Sequence, residues 1–245
     1  GHADYTQHVK FSHRDHRGGG RSSARQTISR VIGAVVAKKV LLHRNINIEV
    51  KAFVNRVGPI QYSPIYDVSE PIDPEINAPK SIARQMKESI LGAKKSGDSL
   101  GSQVSVIVQN VPKGLGMPFY GSLKALLGYS VFSLPAITAL EFGSGISASS
   151  MKGSQHNDQM NSQNNEVTFE TNNHGGILGG ISTGENILMN VTLKPPSSIS
   201  KKQSTINKQL QSVKLEVNGR HDPCLGPRFC PIVEAMTYIA ILNIL

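Results

Sequence analysis

Residues 18–42 read GGGRSSARQTISRVIGAVVAKKVLL, and the change of character inside this stretch sets the first half of the fold. Over residues 23–42 the apolar side chains Ala24, Ile28, Val31, Ile32, Val35, Val36 and Val40 recur at spacings of three and four. Arg25, Arg30, Lys38 and Lys39 fall mostly elsewhere, so the pattern predicts an amphipathic helix. The segment in front of it is built differently. Three glycines let backbone approach a ligand closely, Arg21 and Arg25 supply guanidiniums, and Ser22 and Ser23 place hydroxyls where a helix begins with free N–H groups. This is the construction of an anion site; a flexible loop ending in a serine N-cap is the alternative that the local sequence leaves open. Neither GxxxxGKS/T nor a GxGxxG following a strand is present, so it is not a Walker or Rossmann loop.

Working outward, residues 1–20 are rich in His, Arg and Gly and lack periodicity, which predicts irregular structure. Residues 46–59 alternate as a strand does. Residues 73–92 read as an exposed turn followed by a helix with Pro79 near its start, and residues 99–109 as a second strand carrying Val104, Ile107 and Val108. A glycine-rich turn and an apolar helix occupy 114–140, and a strand entering a loop follows at 139–145. The polar residues 147–173 bury little surface, so they read as a mobile excursion or a ligand lid. The chain then returns through HGGILGGISTGENILMNVTLKPPSSI, residues 174–199: glycine turn, strand, proline loop. A last strand is expected at 213–217 and an apolar helix at 233–245, whose run from Tyr238 to Leu245 packs either internally or against a neighbour. Helices and strands mix without regular βαβ alternation. The expected class is α+β, in one domain spanning 1–245.

With 245 residues, 38% of them hydrophobic, the chain can bury a core. No run approaches the roughly 18 apolar residues of a membrane span, and the N-terminus is not signal-like. The expectation is a soluble cytoplasmic protein without membrane partners. The net charge of +9 raises nucleic acid as a partner, but the basic residues are scattered in short groups such as Lys38-Lys39, Lys94-Lys95 and Lys201-Lys202. With no Trp and 5% aromatics there is also little to stack on bases, so no nucleic acid is expected. A positive field can equally gather small polyanions into a cleft. Cys224 and Cys230 flank Pro227 and form neither a disulfide framework nor a zinc knuckle. They read as reduced thiols, and no metal site is expected.

Two further segments carry chemistry. In HGGILGG, residues 174–180, and LKPPSS, residues 193–198, paired glycines permit close packing on a planar ring, while Lys194, Ser197 and Ser198 could hold a phosphate or a ribityl chain; turns and surface loop are the plainer readings. In NGRHDPC, residues 218–224, neighbours on an extended segment point to opposite sides. Arg220 and Asp222 are then expected to share a pocket that His221 faces away from, which makes Asp222 the chemical group; a salt-bridged loop anchor is the alternative.

Together GGGRSSAR, HGGILGGIS, LKPPSSI and GRHDPCLGPR, in this order and with HADYT, EFGSG and MKGSQHND, resemble the chorismate synthase family. The resemblance implies a β-α-β sandwich of antiparallel sheets with helices. It also implies a lyase that converts 5-enolpyruvylshikimate 3-phosphate to chorismate and phosphate by anti-1,4-elimination, with reduced FMN, NADPH as the external reductant of the flavin, and a homotetramer. By resemblance Arg21, Ser22, Ser23, Ala136, Gly179, Lys194, Pro195, Pro196, Ser197, Ser198 and Arg220 would surround the flavin. Arg25 and Arg220 would meet the substrate, His2 would act as the acid, and Asp222 would help deprotonate the flavin. The chain departs from the family at Pro135, Pro196 and Phe229-Cys230. It also lacks the family's N-terminal Gly-Glu-Ser-His-Gly segment with its second histidine. A truncated, inactive fragment that retains flavin or anion binding is therefore the alternative reading, and a basic nucleic-acid-binding module is a distant third.

Overall fold

The computed structural model describes residues 2–15, 17–67 and 69–245. In chain order the elements are α1 (Asp4–Phe11), α2 (Thr27–His43), β1 (Glu49–Val57), β2 (Ile60–Gln61), β3 (Ile72–Asp73), β4 (Ala78–Pro79), α3 (Lys80–Lys95), β5 (Ser102–Gln109), α4 (Leu123–Phe132), β6 (Ile137–Phe142), α5 (Gly153–His156), β7 (Met160–Gln163), β8 (Glu166–Phe169), β9 (Ile177–Leu178), β10 (Ile181–Ser182), β11 (Ile187–Leu193), β12 (Gln203–Ile206), β13 (Ser212–Leu215) and α6 (Gly226–Leu242). The class is α+β, as expected. A five-stranded antiparallel sheet in the order β2-β1-β5-β11-β6 is accompanied by four two-stranded ribbons.

Alternation along the strands sorts the two faces of this sheet. Val104, Val106 and Val108 of β5 and Ile187, Met189, Val191 and Leu193 of β11 join the main core with the helices, while Phe53, Tyr62 and Ile107 form a smaller cluster on the far side. In β1 the pairing slips from Val54↔Val104 to Arg56↔Gln103, so Asn55 is an extra residue. This bulge reverses the side-chain parity and returns Val57 to the helix face.

On that face α6 lies against β1 and β5, with α2 and α4 packed on it in turn. It is apolar all round, a helix that must be covered on every side. It begins earlier than the expected 233–245, because Pro227 sits in the first turn, where a missing N–H costs nothing. Pro231 lies inside the helix and cannot donate to the carbonyl of Pro227; Asn77 Nδ2 donates to that oxygen instead, at 2.9 Å. The run from Tyr238 to Leu245 packs internally: Tyr238, Ala240 and Ile241 are buried. Cys224 and Cys230 are free, and burial pushes both thiols up, so they stay protonated.

Three local expectations change. Residues 4–11 form a helix, α1, with no buried residue, so apolar periodicity could not reveal it; it is held by polar bonds, Asp4 to Arg14 at 2.6 Å and Gln7 to Ser22 at 2.9 Å. The polar stretch 147–173 takes regular structure as a 3-10 turn, α5 and the β7–β8 ribbon, stabilised by polar rather than apolar contacts. In α2 the periodic residues locate the helix but not its buried side. Ile28 and Ile32 are 69% and 64% exposed, while Thr27, Ala34, Ala37 and Leu41 are buried. Small residues let α2 approach α6 closely; Gly33 faces Ile239, with a Cβ there only 3.9 Å from Ile239 Cδ1.

Leu127, fully buried in α4 on the main core, is the clearest test of this packing. Leu127→Ala is expected to cost about 2–5 kcal/mol of unfolding free energy, read as a lowered urea midpoint with unchanged slope.

Candidate functional site

The central strand β11 ends at Leu193, and the next residue starts the site. Lys194 N donates to Ala136 O at 3.0 Å, which extends the pairing of β11 with β6 by one bond. Ala136 holds φ +68, a left-handed conformation that costs a residue with a Cβ, at the corner between α4 and β6. The Lys194 side chain gathers two partners: Nζ donates to Ser197 Oγ at 2.7 Å and to His2 Nε2 at 2.6 Å. Residues far apart in sequence, His2, Ala136, Lys194 and Ser197, thus meet at one place.

The loop from Lys194 to Ser200 is a wall between two clefts. On one side a cleft of about 360 Å³ is lined by Arg56, Gln103, Thr138, Thr192, Lys194 and Pro195. On the other a cleft of about 410 Å³ takes Ser198 and Ser200 from the loop, Lys94 and Asp98 from the end of α3, and Arg220, His221 and Asp222 from the bend before α6. The wall is pinned by Ser99 Oγ donating to Pro196 O at 2.7 Å and by Pro195 packing near Gly101. The bend is pinned by Leu100, whose N–H donates to Pro223 O at 2.7 Å and whose backbone bridges to Cys224.

The orientation expected for 220–222 is corrected by the structure. These residues lie outside any strand, after a bend at Gly219 with φ +144, so extended alternation does not apply: His221 lines the same cleft as Arg220 and Asp222. Nor is Asp222 paired with Arg220. Its Oδ1 accepts from Arg228 NH2 at 2.9 Å, one turn into α6.

The glycine-rich loop stands on the exposed start of α2. A 3-10 turn at Ala24–Gln26 precedes the helix, and Ser23 Oγ accepts from Arg25 N at 3.4 Å and Arg25 Nε at 3.1 Å, which makes Ser23 a cap as well as a loop hydroxyl. Ser22 Oγ accepts from Gln7 Nε2 and so ties the loop to α1, the helix that carries His2 just before its first turn. Both serine hydroxyls act as acceptors here, which leaves their hydrogens for a ligand. Gly179 is placed apart. The turn of β9 and β10 is bound to the start of α4 through Leu123 N and Gly180 O at 2.8 Å, whereas Ala136 follows the other end of that helix. This turn is held from behind by Asp158, whose carboxylate is 4% exposed and accepts from His174 N, His174 Nδ1, Asn173 N and Thr171 Oγ1. Burial pushes Asp158 up, but those four donors outweigh it and hold the group at about 2.

Lys94, Asp98, Ser200 and His221 were not selected as site residues from the sequence, because Lys94 and Asp98 reach the cleft only when α3 is docked. The one signal was the Lys94-Lys95 pair. Among the described residues no three His, Cys, Asp or Glu side chains gather as metal ligands, and no helix is long and apolar enough to cross a membrane.

A family model described as chorismate synthase matches residues 1–245. Chorismate synthases of Roseiflexus castenholzii and Archaeoglobus fulgidus are 42% and 40% identical to the chain; each alignment takes in 99% of it and 68% of the relative. A crystal structure of a chorismate synthase superposes with a TM-score of 0.76 at 25% identity, over 99% of this chain and 69% of that one.

His2 is the group whose charge this geometry fixes. Burial lowers its proton affinity and the adjacent Lys194 ammonium lowers it further, against a smaller opposing effect of Asp4. A lowered imidazole is neutral at pH 7. An NMR titration is expected to put its midpoint below the ordinary 6.5, and Lys194→Met to move it back up.

Proposed function

The chain belongs to the chorismate synthase family, the lyases of the last step of the shikimate pathway, and from that premise we propose that the face carrying the two clefts binds reduced FMN and 5-enolpyruvylshikimate 3-phosphate. The observation that carries this reading is the convergence of Lys194, Ser197 and His2 at the wall between the clefts, with Ser198, Arg220 and Asp222 beyond it.

The donor set fits a phosphorylated flavin. Lys194 with Ser197 and Ser198, and Arg21 with Ser22 and Ser23, combine cations with hydroxyls on loops where backbone can approach closely. Gly179, at φ +57, has open space where a Cβ would stand, room for a flat ring against its backbone. Ala136, Pro195 and Pro196 complete the proposed contacts, and NADPH is the proposed external reductant.

In the family reaction the substrate loses phosphate and a ring hydrogen in an anti-1,4-elimination, and bound reduced FMN supplies the electron-rich ring that assists that loss without net redox change. The chain's own groups do the rest. Arg25 and Arg220 hold the substrate's anionic groups and stabilise the departing phosphate. Asp222 has one oxygen fixed by Arg228, which leaves Oδ2 as a proton acceptor facing the cleft. His2 acts as an acid once an anion at Lys194 offsets the ammonium that keeps the imidazole neutral. The proposed unit is a single domain over 1–245. A cytoplasmic location agrees with the free, buried Cys224 and Cys230.

We place the proposed homotetramer contacts on α2 rather than on the C-terminal run, which is used internally. Ile28, Ile32, Val35 and Val36 form an exposed apolar stripe, and Arg30, bonded to Ser133, ties it to Tyr129 and Phe132 at the end of α4. Light scattering of the protein with Ile32→Glu is expected to show smaller particles than the parent; a monomeric parent at micromolar concentration rejects the tetramer.

The site is tested by anaerobic assays with reduced flavin. Asp222→Asn is expected to lower turnover by roughly 10²–10⁴-fold while FMN binding survives. Arg21→Ala combined with Lys194→Ala is expected to weaken FMN binding itself. Unchanged affinity in a fluorescence titration removes the flavin assignment.

A further inference from the structure

The larger cleft carries more charge than its assigned residues account for. Both carboxylates on its wall are already answered by cations outside it: Asp98 Oδ2 by Lys201 Nζ at 2.7 Å, and Asp222 Oδ1 by Arg228 NH2 at 2.9 Å. The Lys201 contact and the Ser99 N–H hold Asp98 well below the usual carboxylate range, so it stays ionised and paired. The carbonyls at the end of α3 are likewise used by their own turn, Gly92 O by Ser96 N, Ala93 O by Asp98 N and Lys94 O by Gly97 N. Lys94 and Arg220, by contrast, have no carboxylate within ion-pair distance among the described residues. The cleft is therefore net positive.

His221 supplies a second, independent observation. Its ring is folded onto Gly219, where a Cβ would stand 3.2 Å from Cε1, and its Nδ1 is buried with no hydrogen-bond partner. A buried polar atom left unpaired in a folded protein calls for a partner, and the open side of this ring is the cleft. Two cations, an imidazole nitrogen and the hydroxyls of Ser198 and Ser200 form a donor set for a tetrahedral dianion rather than for a planar carboxylate.

We propose that Lys94 and His221 are ligand-contacting residues that, with Arg220, bind a phosphate monoester in this cleft. The proposal rests on the family reading above and adds to it two residues, one of them on α3. The ester belongs either to the flavin or to the substrate, and the test separates the two.

Inorganic phosphate is titrated into the whole chain at pH 7 and followed by the ring-nitrogen resonances of His221. The expected result is a saturable shift of Nδ1, with affinity about tenfold weaker in Lys94→Ala and in His221→Gln and unchanged in Lys95→Ala, on the same turn but outside the cleft. Displacement of phosphate by FMN but not by riboflavin assigns the ester to the flavin. Displacement by shikimate 3-phosphate but not by shikimate assigns it to the substrate. A silent Nδ1, equal affinity in all three variants, or failure of both esters to displace phosphate overturns the proposal. The flavin assignment is judged separately: if Arg21→Ala with Lys194→Ala loses FMN while phosphate leaves His221 unmoved, that assignment stands and this one falls.

Discussion

The outer edge of β1 needs partners, and the way it finds them organises the molecule. The N–H groups of Val50, Ala52 and Val54 point away from β5 and are met by Tyr238 Oη at 3.2 Å, Glu234 Oε1 at 2.8 Å and Asn77 O at 2.6 Å. Two of the three acceptors are side chains of α6, so the helix that fills the core also closes the strand edge. Burial raises the proton affinity of Glu234, and its bond to Ala52 N opposes that rise. Asn77 serves both sides of the junction: its carbonyl takes the Val54 N–H, and its amide caps the Pro227 carbonyl that Pro231 cannot.

The site inherits its precision from this junction. The start of α6 is pressed onto the sheet so closely that a Cβ on Gly226 would stand 2.9 Å from Ser102. The bend from Gly219 to Pro223 hangs from that point and is fastened to Leu100. Across the cleft, the proline loop leaves the end of a central strand and is pinned to Ser99. Both walls are thus set from neighbouring positions on β5, which makes the cleft between them a property of the sheet rather than of two free loops.

Charge is arranged at two levels. Acids near the clefts are paired outward, Asp98 with Lys201 and Asp222 with Arg228, which leaves the inward cations for ligands. Lys194 is the exception among the cations, since it spends its ammonium on Ser197 and a neutral His2. An anion arriving there changes the environment of the imidazole directly, so ligand binding and the protonation of His2 are coupled through one lysine.

The sequence by itself determined the α+β class, most of the elements and the four motif segments, because periodicity, glycine and proline act within a few residues and are written locally. It missed α1, whose residues bury nothing, and the regular structure of 147–173, which is held by groups such as Asp158 rather than by an apolar pattern. Only the tertiary structure decided which side of α2 is buried, since Ala34 and Ala37 win over Ile28 and Ile32 by allowing closer approach to α6. It alone decided that Asp222 pairs with Arg228 instead of Arg220, that His221 turns into the cleft, and that Lys94 joins it. The physical reason is common to these cases: an ion pair or a pocket depends on where separate elements dock, and docking is fixed by long-range burial that neighbouring residues do not encode.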